Sequence, residues 1–98
     1  MYRNKSFDEN LSRELKNIKF AREFLISLME GKESYSLEEA LRIVISKMGI
    51  KEYCDLAKVA LPNIVNFIKG KRRPKPETLD FLLKPFGLKT KIILEKVS

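Results

Sequence analysis

Residues 53–74, "YCDLAKVALPNIVNFIKGKRRP", decide the fold that we predict for this chain. Two short apolar segments follow each other closely here, and a glycine with a run of cations ends the second. Apolar residues stand at relative positions 0, 4, 6, 11 and 14, and a small residue stands at position 1. This spacing is typical of a helix-turn-helix, in which a first helix braces a second one against DNA. The residues concerned are Tyr53, Ala57, Val59, Ile64 and Phe67, with Cys54 as the small residue where the helices cross.

The turn between the two predicted helices departs from the usual pattern. Lys58 stands where glycine is common, so we expect its backbone to be left-handed at a modest cost. The polar cap that commonly precedes the second helix is replaced by Ala60 and Leu61. Because a residue before proline avoids the helical region, we place the cap at Leu61, with Pro62 fixing the first turn.

The second predicted helix divides into an apolar face and a polar face. At about 100° per residue, Ile64, Phe67 and Ile68 point inward. Asparagine can form a bidentate contact with adenine, and valine can contact the methyl group of thymine, so the other face is suited to reading bases. The same residues would also suit an ordinary solvated helix face. The base-reading candidates are Pro62, Asn63, Val65, Asn66 and Lys69.

A basic loop that contains prolines follows the second helix. Cations beside the major groove bind phosphates and hold a recognition helix in register without reading sequence. Pro74 and Pro76 restrict the loop, which reduces the entropy lost when the loop is ordered. An ordinary basic surface loop is the alternative. The phosphate-binding candidates are Lys58, Lys71, Arg72, Arg73 and Lys75.

The net charge of +7 is concentrated in the second half of the 98-residue chain. Residues 1–50 carry nine Lys or Arg against eight Asp or Glu, whereas residues 51–98 carry eleven against five. Such an imbalance favours a polyanionic partner, here double-stranded DNA, over a basic surface that serves only solubility.

The composition argues against an enzyme and against a membrane protein. The chain has no histidine and one cysteine, so we expect no catalytic residue, no metal site and no cofactor. Cys54 is expected in the core and not as a nucleophile. The polar N-terminus and the short apolar runs indicate neither a signal peptide nor a membrane span. We expect a soluble protein of the cell interior.

The first half of the chain contains two clear helices after a shorter one. "NIKFAREFLISLMEG" has Asn17 as a cap, and "SLEEALRIVISKMG" opens with Ser36 and Glu39 at capping-box spacing. Further apolar residues widen the surface of the first of these helices. They indicate either a helix buried on two sides or a surface that binds a partner protein or a second copy. The partner-binding candidates are Phe20, Phe24 and Ile26.

We therefore predict an all-α fold, a compact bundle of about five helices that contains the helix-turn-helix. Pro76 can begin the last helix, and Pro85 is expected to make its final turn irregular. Residues 88–97 partly alternate in polarity, so a short C-terminal strand is an option. The single domain of residues 1–98 is expected to comprise a helical arm at 1–35, a DNA-binding core at 36–88 and a tail at 89–98.

Two longer stretches resemble antitoxins of the HigA type, also called addiction-module antidote proteins. The C-terminal one is "DLAKVALPNIVNFIKGKRRPKPETLDFLLKPFGLKTKI", with the helix-turn-helix, the glycine-basic-proline loop and a helix that ends in "FGLK". The N-terminal one is "LKNIKFAREFLISLMEG", followed by "SLEEALRIVISKMG". Together they cover roughly residues 11–92. The helix-turn-helix is shared with many phage-type repressors. The order and spacing of the N-terminal helices make the resemblance to HigA-type antitoxins more specific.

The resemblance implies a five-helix DNA-binding domain that forms a homodimer, represses its own operon and binds a cognate toxin, usually a small ribonuclease. It also implies a bacterial, cytoplasmic protein that is associated with the nucleoid. Toxin contacts vary within the family and do not carry over. This chain departs from the family's alanine or glycine at Lys58 and Pro85, which affects the expected turn geometry. The family's DNA contacts would fall on Asn63, Val65, Asn66 and Lys69 and on the loop 71–75.

Two other functions stay open at this point. A stand-alone, phage-like transcriptional regulator would share the helix-turn-helix but would have no toxin gene beside its own. A protein-interaction module would bind an acidic partner through the basic face, or an apolar partner through the helix around Phe24. Such a module would show no sequence preference on DNA.

Overall fold

Six α-helices and one short 3-10 helix make up the part of the chain that the computed structural model describes, residues 5–70, 74–91 and 94. These residues include no β-strand, and none of their helices has the length and apolar character to cross a membrane. The all-α prediction is confirmed. Residues 88–91 are irregular, and positions 92, 93 and 95–97 of the optional strand lie outside the described residues. The elements are α1 Lys5–Leu15, α2 Ile18–Glu30, α3 Leu37–Met48, α4 Ile50–Ala57, α5 Leu61–Lys69, α6 Pro76–Leu83 and the 3-10 helix Lys84–Phe86.

The structure confirms the polar N-terminal caps that the sequence predicts for α2 and α3. The Asn17 side chain accepts a hydrogen bond from the N–H of Phe20 at the start of α2. At the start of α3, the Ser36 hydroxyl accepts from the N–H of Glu39, and the Glu39 carboxylate accepts from the N–H of Ser36. Each pairing satisfies a backbone donor that would otherwise have no protein partner.

The central element is α3, which packs against α1, α2, α4 and α5. Its apolar residues cover a wide face, so they meet neighbours on several sides. Each fully buried large aliphatic side chain contributes roughly 1.5–3 kcal/mol through removal from water. The buried residues of α3 are Ala40, Leu41, Val44, Ile45 and Met48.

The first two helices pack onto this central helix. Leu15 at the end of α1 is fully buried, and the Ser12 hydroxyl donates a 2.6 Å hydrogen bond to the carbonyl of Met48. That carbonyl lies at the end of α3, where the helix supplies no donor of its own. Ala21 and Leu25 of α2 face the same core.

The C-terminal helices close the core through an aromatic pair. The rings of Tyr53 and Phe86 are fully buried, with centroids 6.0 Å apart. Burial raises the pKa of the Tyr53 hydroxyl. Pro85 lies in the 3-10 helix that follows α6, which confirms the irregular final turn predicted there. Through this pair, α4 is fixed against the C-terminal end of the fold.

Candidate nucleic-acid interface

The helices α4 and α5 pack against each other and are joined by residues 58–60. Lys58 has φ 56° and ψ 48°, so the predicted left-handed lysine is confirmed. The N–H of Val59 donates a 3.1 Å hydrogen bond to the carbonyl of Cys54 and closes the turn. A left-handed conformation costs a residue with a Cβ atom roughly 1–2 kcal/mol. The tight connection is therefore kept in spite of local strain.

The start of α5 lies one residue earlier than predicted. Leu61 is the first helical residue and Ala60 precedes it as the cap position, so the placement of the cap at Leu61 is wrong. The reason is the hydrogen bond from the N–H of Asn63 to the carbonyl of Ala60, 3.1 Å long, which closes a turn around Leu61 and Pro62. No side chain caps this helix start.

The inner face of α5 anchors it to the core as predicted. Ile64 and Phe67 are buried and Ile68 is half-buried against the core. Cys54, the predicted small residue of the crossing, is buried on α4. Burial raises the pKa of the Cys54 thiol, which disfavours the reactive thiolate. One face of α5 is thus held by apolar packing, and the opposite face is left to solvent.

The outer face of α5 carries the base-reading candidates. Pro62, Asn63, Asn66 and Lys69 are exposed, whereas Val65 is half-buried at the side. Pro62, Asn66 and Lys69 follow each other at intervals of four and three residues, which places them in one stripe along the helix. The helix contains no acidic residue that would repel a polyanion.

Two of the five phosphate-binding candidates lie in the described part of the chain. Lys58 is exposed in the turn before α5, and Lys75 is exposed at the cap position of α6. Gly70 ends α5 in the left-handed region, with φ 67°. The two lysines therefore stand in the segments that enter and leave the α5 region. The candidates Lys71, Arg72 and Arg73 lie outside the described residues.

Two residues of this region were not identified from the sequence. Leu61 is 42% exposed in the first turn of α5, directly before the candidate Pro62 in sequence; it was not a site candidate because the sequence placed it outside the helix. Arg42 of α3 donates a 3.0 Å hydrogen bond from Nε to the carbonyl of Phe67 in α5. No local sequence signal reveals that contact, because 25 residues separate the two partners.

The three partner-binding candidates do not form one continuous surface. The rings of Phe20 and Phe24 stack with centroids 6.3 Å apart and pack against the core, partly buried. Ile26 is 37% exposed and two residues from Phe24, so it points about 200° away around the helix. It lines a shallow groove of about 300 Å³ with Met29, Leu88 and their neighbours.

Comparison with protein-family models, curated proteins and solved structures finds no significant match to this chain. The described residues offer an exposed, polar helix face that is braced from behind and has cations in the adjoining segments. This arrangement is suited to binding a polyanion in a groove.

Proposed function

We propose that this chain is a sequence-specific DNA-binding protein that represses its own operon and acts as the antitoxin of a toxin–antitoxin pair. The observation that supports DNA binding most directly is the outer face of α5. Its stripe of Pro62, Asn66 and Lys69 is exposed, while Ile64 and Phe67 on the opposite face are buried. A helix held in this way can present side chains to the edges of base pairs.

The proposed division of labour follows from the residue types. Asn63 and Asn66 can donate to and accept from adenine in the major groove, and Val65 can contact a thymine methyl group. The cations of Lys58, Lys75 and residues 71–73 bind phosphates and give affinity that depends on salt. In this proposal the chain binds and does not catalyse, and it needs no metal or cofactor.

The antitoxin part of the proposal is supported by the family resemblance of residues 11–92 and not by the geometry of α5. A homodimer would place two copies of α5 about one helical turn apart on a near-palindromic operator. The partner would be a toxin encoded beside this gene. A stand-alone regulator would use the same DNA-binding face, so the neighbouring reading frame separates the two functions.

The first experiment is a band shift with the DNA upstream of the gene and with scrambled DNA of the same composition, over a series of salt concentrations. We expect tighter binding to the upstream DNA. Neutralising Arg72 and Arg73 together should reduce the slope of log K against log salt by about 2. The control is Lys32→Gln, which removes an exposed cation from the connection between α2 and α3 and should leave the slope unchanged.

Equal, weak binding to both DNAs would refute sequence-specific recognition. The toxin is tested separately, by expressing the neighbouring reading frame with and without this chain. Growth arrest that this chain relieves supports an antitoxin. Harmless expression of the neighbour, together with specific binding of the upstream DNA, would identify a stand-alone regulator.

A further inference from the structure

Arg42 makes two contacts with a single residue of α5. Its Nε donates a 3.0 Å hydrogen bond to the Phe67 carbonyl, and its guanidinium carbon lies 5.1 Å from the centre of the Phe67 ring. On the other side, Nη2 is 4.0 Å from a carboxylate oxygen of Glu38, one turn earlier on α3. The side chain is therefore held by its own helix and reaches across to the next element.

The Phe67 carbonyl is a chemically favourable place for this contact. It lies in the last turn of α5, where carbonyls lack helical N–H partners and carry the negative end of the helix dipole. It also accepts the N–H of Gly70, 3.0 Å away, so two donors meet on one oxygen. A positive charge at this end stabilises the helix terminus and fixes its position relative to α3.

The same guanidinium lies close to Gly70, the residue that ends α5. A Cβ atom placed on Gly70 would stand 3.5 Å from Nη2 of Arg42. Gly70 is the left-handed residue at the C-terminal end of α5. Arg42 therefore contacts Phe67 in the last turn of the proposed recognition helix and lies close to Gly70, where that helix ends.

We propose that Arg42 is a positioning residue that sets how α5 is presented to DNA; this inference rests on the proposed function. Asn66 and Lys69 lie one and two positions from Phe67 in α5. A rotation of this part of the helix about its axis would therefore move both side chains. Lysine cannot replace Arg42, because its single ammonium group lacks the planar geometry that bonds the carbonyl and stacks on the ring at once.

The test compares Arg42→Lys with Arg22→Lys, a substitution of the same kind on α2, where Arg22 is half-buried near Gly87. A selected DNA site and scrambled DNA are titrated over a salt series, under conditions in which urea unfolding shows each variant to be folded. We expect Arg42→Lys to reduce the ratio of specific to non-specific affinity about tenfold. The salt slope should stay unchanged, and Arg22→Lys should match the wild type.

A second measurement does not use DNA. The scalar coupling across the hydrogen bond between Arg42 Nε and the Phe67 carbonyl, measured by NMR, should be present in the wild type. Arg42→Gln, which also lacks the guanidinium, should shift the amide resonances of residues 66–70 and reduce the affinity ratio as Arg42→Lys does. Absence of the coupling in the wild type would overturn the inference.

The outcomes separate this inference from the proposed function. An unchanged affinity ratio in Arg42→Lys would overturn the positioning role while leaving specific binding in place. A salt slope reduced by about 1 in Arg42→Gln but retained in Arg42→Lys, with the ratio intact, would show instead that Arg42 binds a phosphate directly. A wild type without sequence preference would overturn both proposals, even if the coupling to Phe67 is observed.

Discussion

The hydroxyl of Tyr53 donates a 2.6 Å hydrogen bond to the backbone carbonyl of Leu82, and both residues are buried. Tyr53 lies on α4, the bracing helix of the α4–α5 pair, and Leu82 lies near the end of α6. This bond, together with the contact between the Tyr53 and Phe86 rings, fixes α4 to the C-terminal part of the fold.

Removing this hydroxyl should destabilise the whole fold. Tyr53→Phe keeps the ring but leaves the Leu82 carbonyl without this buried donor, so we expect a loss of about 1–3 kcal/mol in the free energy of unfolding. Urea denaturation followed by circular dichroism measures it. Tyr35→Phe, at a half-buried tyrosine between α2 and α3, is the control and should cost less. An equal loss in both variants would assign no special role to Tyr53.

The same hydroxyl should make stability fall at alkaline pH. Burial raises the pKa of Tyr53 in the folded state above its usual value of 10.0. The folded state then holds the proton more tightly than the unfolded state does. The contribution of the Tyr53 hydroxyl to the free energy of unfolding is therefore complete below pH 10 and declines as the pH rises above 10. The difference in unfolding free energy between wild type and Tyr53→Phe should therefore shrink above pH 10. If this difference in unfolding free energy does not change with pH, the pKa of Tyr53 is not raised in the folded state.

Replacing Lys58 by glycine should stabilise the protein and weaken its binding to DNA. Glycine relieves the strain of the left-handed conformation, offset by its greater entropy when unfolded, for a net gain of up to about 1 kcal/mol. The loss of one phosphate-binding cation should reduce the salt slope by about 1. Thermal unfolding and DNA titration measure the two effects.

Ser34 provides the control for Lys58, because it also has a positive φ, of 49°, and lies in the connection between α2 and α3. Ser34→Gly should raise stability without changing the affinity for DNA. If the two variants bind DNA equally well, Lys58 does not contact a phosphate.

Asn66→Ala should reduce sequence discrimination without loss of folding. A bidentate contact to adenine contributes about 1–3 kcal/mol of discrimination, so specific binding should weaken roughly ten- to hundredfold and non-specific binding much less. Alanine has the higher helix propensity, so unfolding cannot account for the loss. Asn10→Ala, at an exposed position on α1, is the control. Equal losses on specific and scrambled DNA would remove Asn66 from the base-reading residues.

The hydrogen bonds that attach Thr90, in the C-terminal tail, to Asp80 of α6 should be lost in acid. One oxygen of Asp80 accepts hydrogen bonds of 2.6 Å from both the hydroxyl and the N–H of Thr90, and these bonds lower the pKa of Asp80 below its usual value of 3.8. Because the pKa is lowered, the hydrogen bonds to the Asp80 carboxylate stabilise the folded state fully above pH 3.8. This stabilisation is lost as the pH falls through the pKa of Asp80 in the folded state.

The Thr90 amide resonance and its hydrogen exchange, followed by NMR from neutral to low pH, test this attachment. In the wild type, protection should be retained at about pH 5 and lost only in stronger acid. Asp80→Asn should weaken protection at neutral pH and remove the acid transition. A transition that persists in Asp80→Asn would belong to another carboxylate.

The features that could be predicted from the sequence are those encoded within one turn of helix. The Asn17 cap, the Ser36–Glu39 box and the left-handed Lys58 all follow from residue types at fixed short spacing, and the structure confirms them. The inward face of α5 follows equally from its periodicity. The start of α5 at Leu61 differs from the prediction, because the hydrogen bond from Asn63 to the Ala60 carbonyl stabilises a helical Leu61 although a proline follows it.

The features that could not be predicted depend on distant parts of the chain meeting. The contacts of Arg42 with Phe67 and of Tyr53 with Leu82 join residues 25 and 29 positions apart, so no local pattern signals them. The arrangement of the partner-binding candidates Phe20, Phe24 and Ile26 also depends on packing between distant residues. These candidates were chosen for being apolar, whereas the packing divides them between the core contact of Phe24 and the groove beside Ile26.

The shortness of α5 limits how much information one copy of this chain could read. Nine residues span roughly 13 Å, the length of about four base-pair steps, and four fully specified base pairs carry about 8 bits. Selecting one site among about 10⁶ competitors requires about 20 bits. Two copies held in a fixed relation would raise the information read to about 16 bits, much closer to the requirement. If this protein finds a single operator, one α5 is therefore not enough, and a second copy must supply most of the missing sequence information.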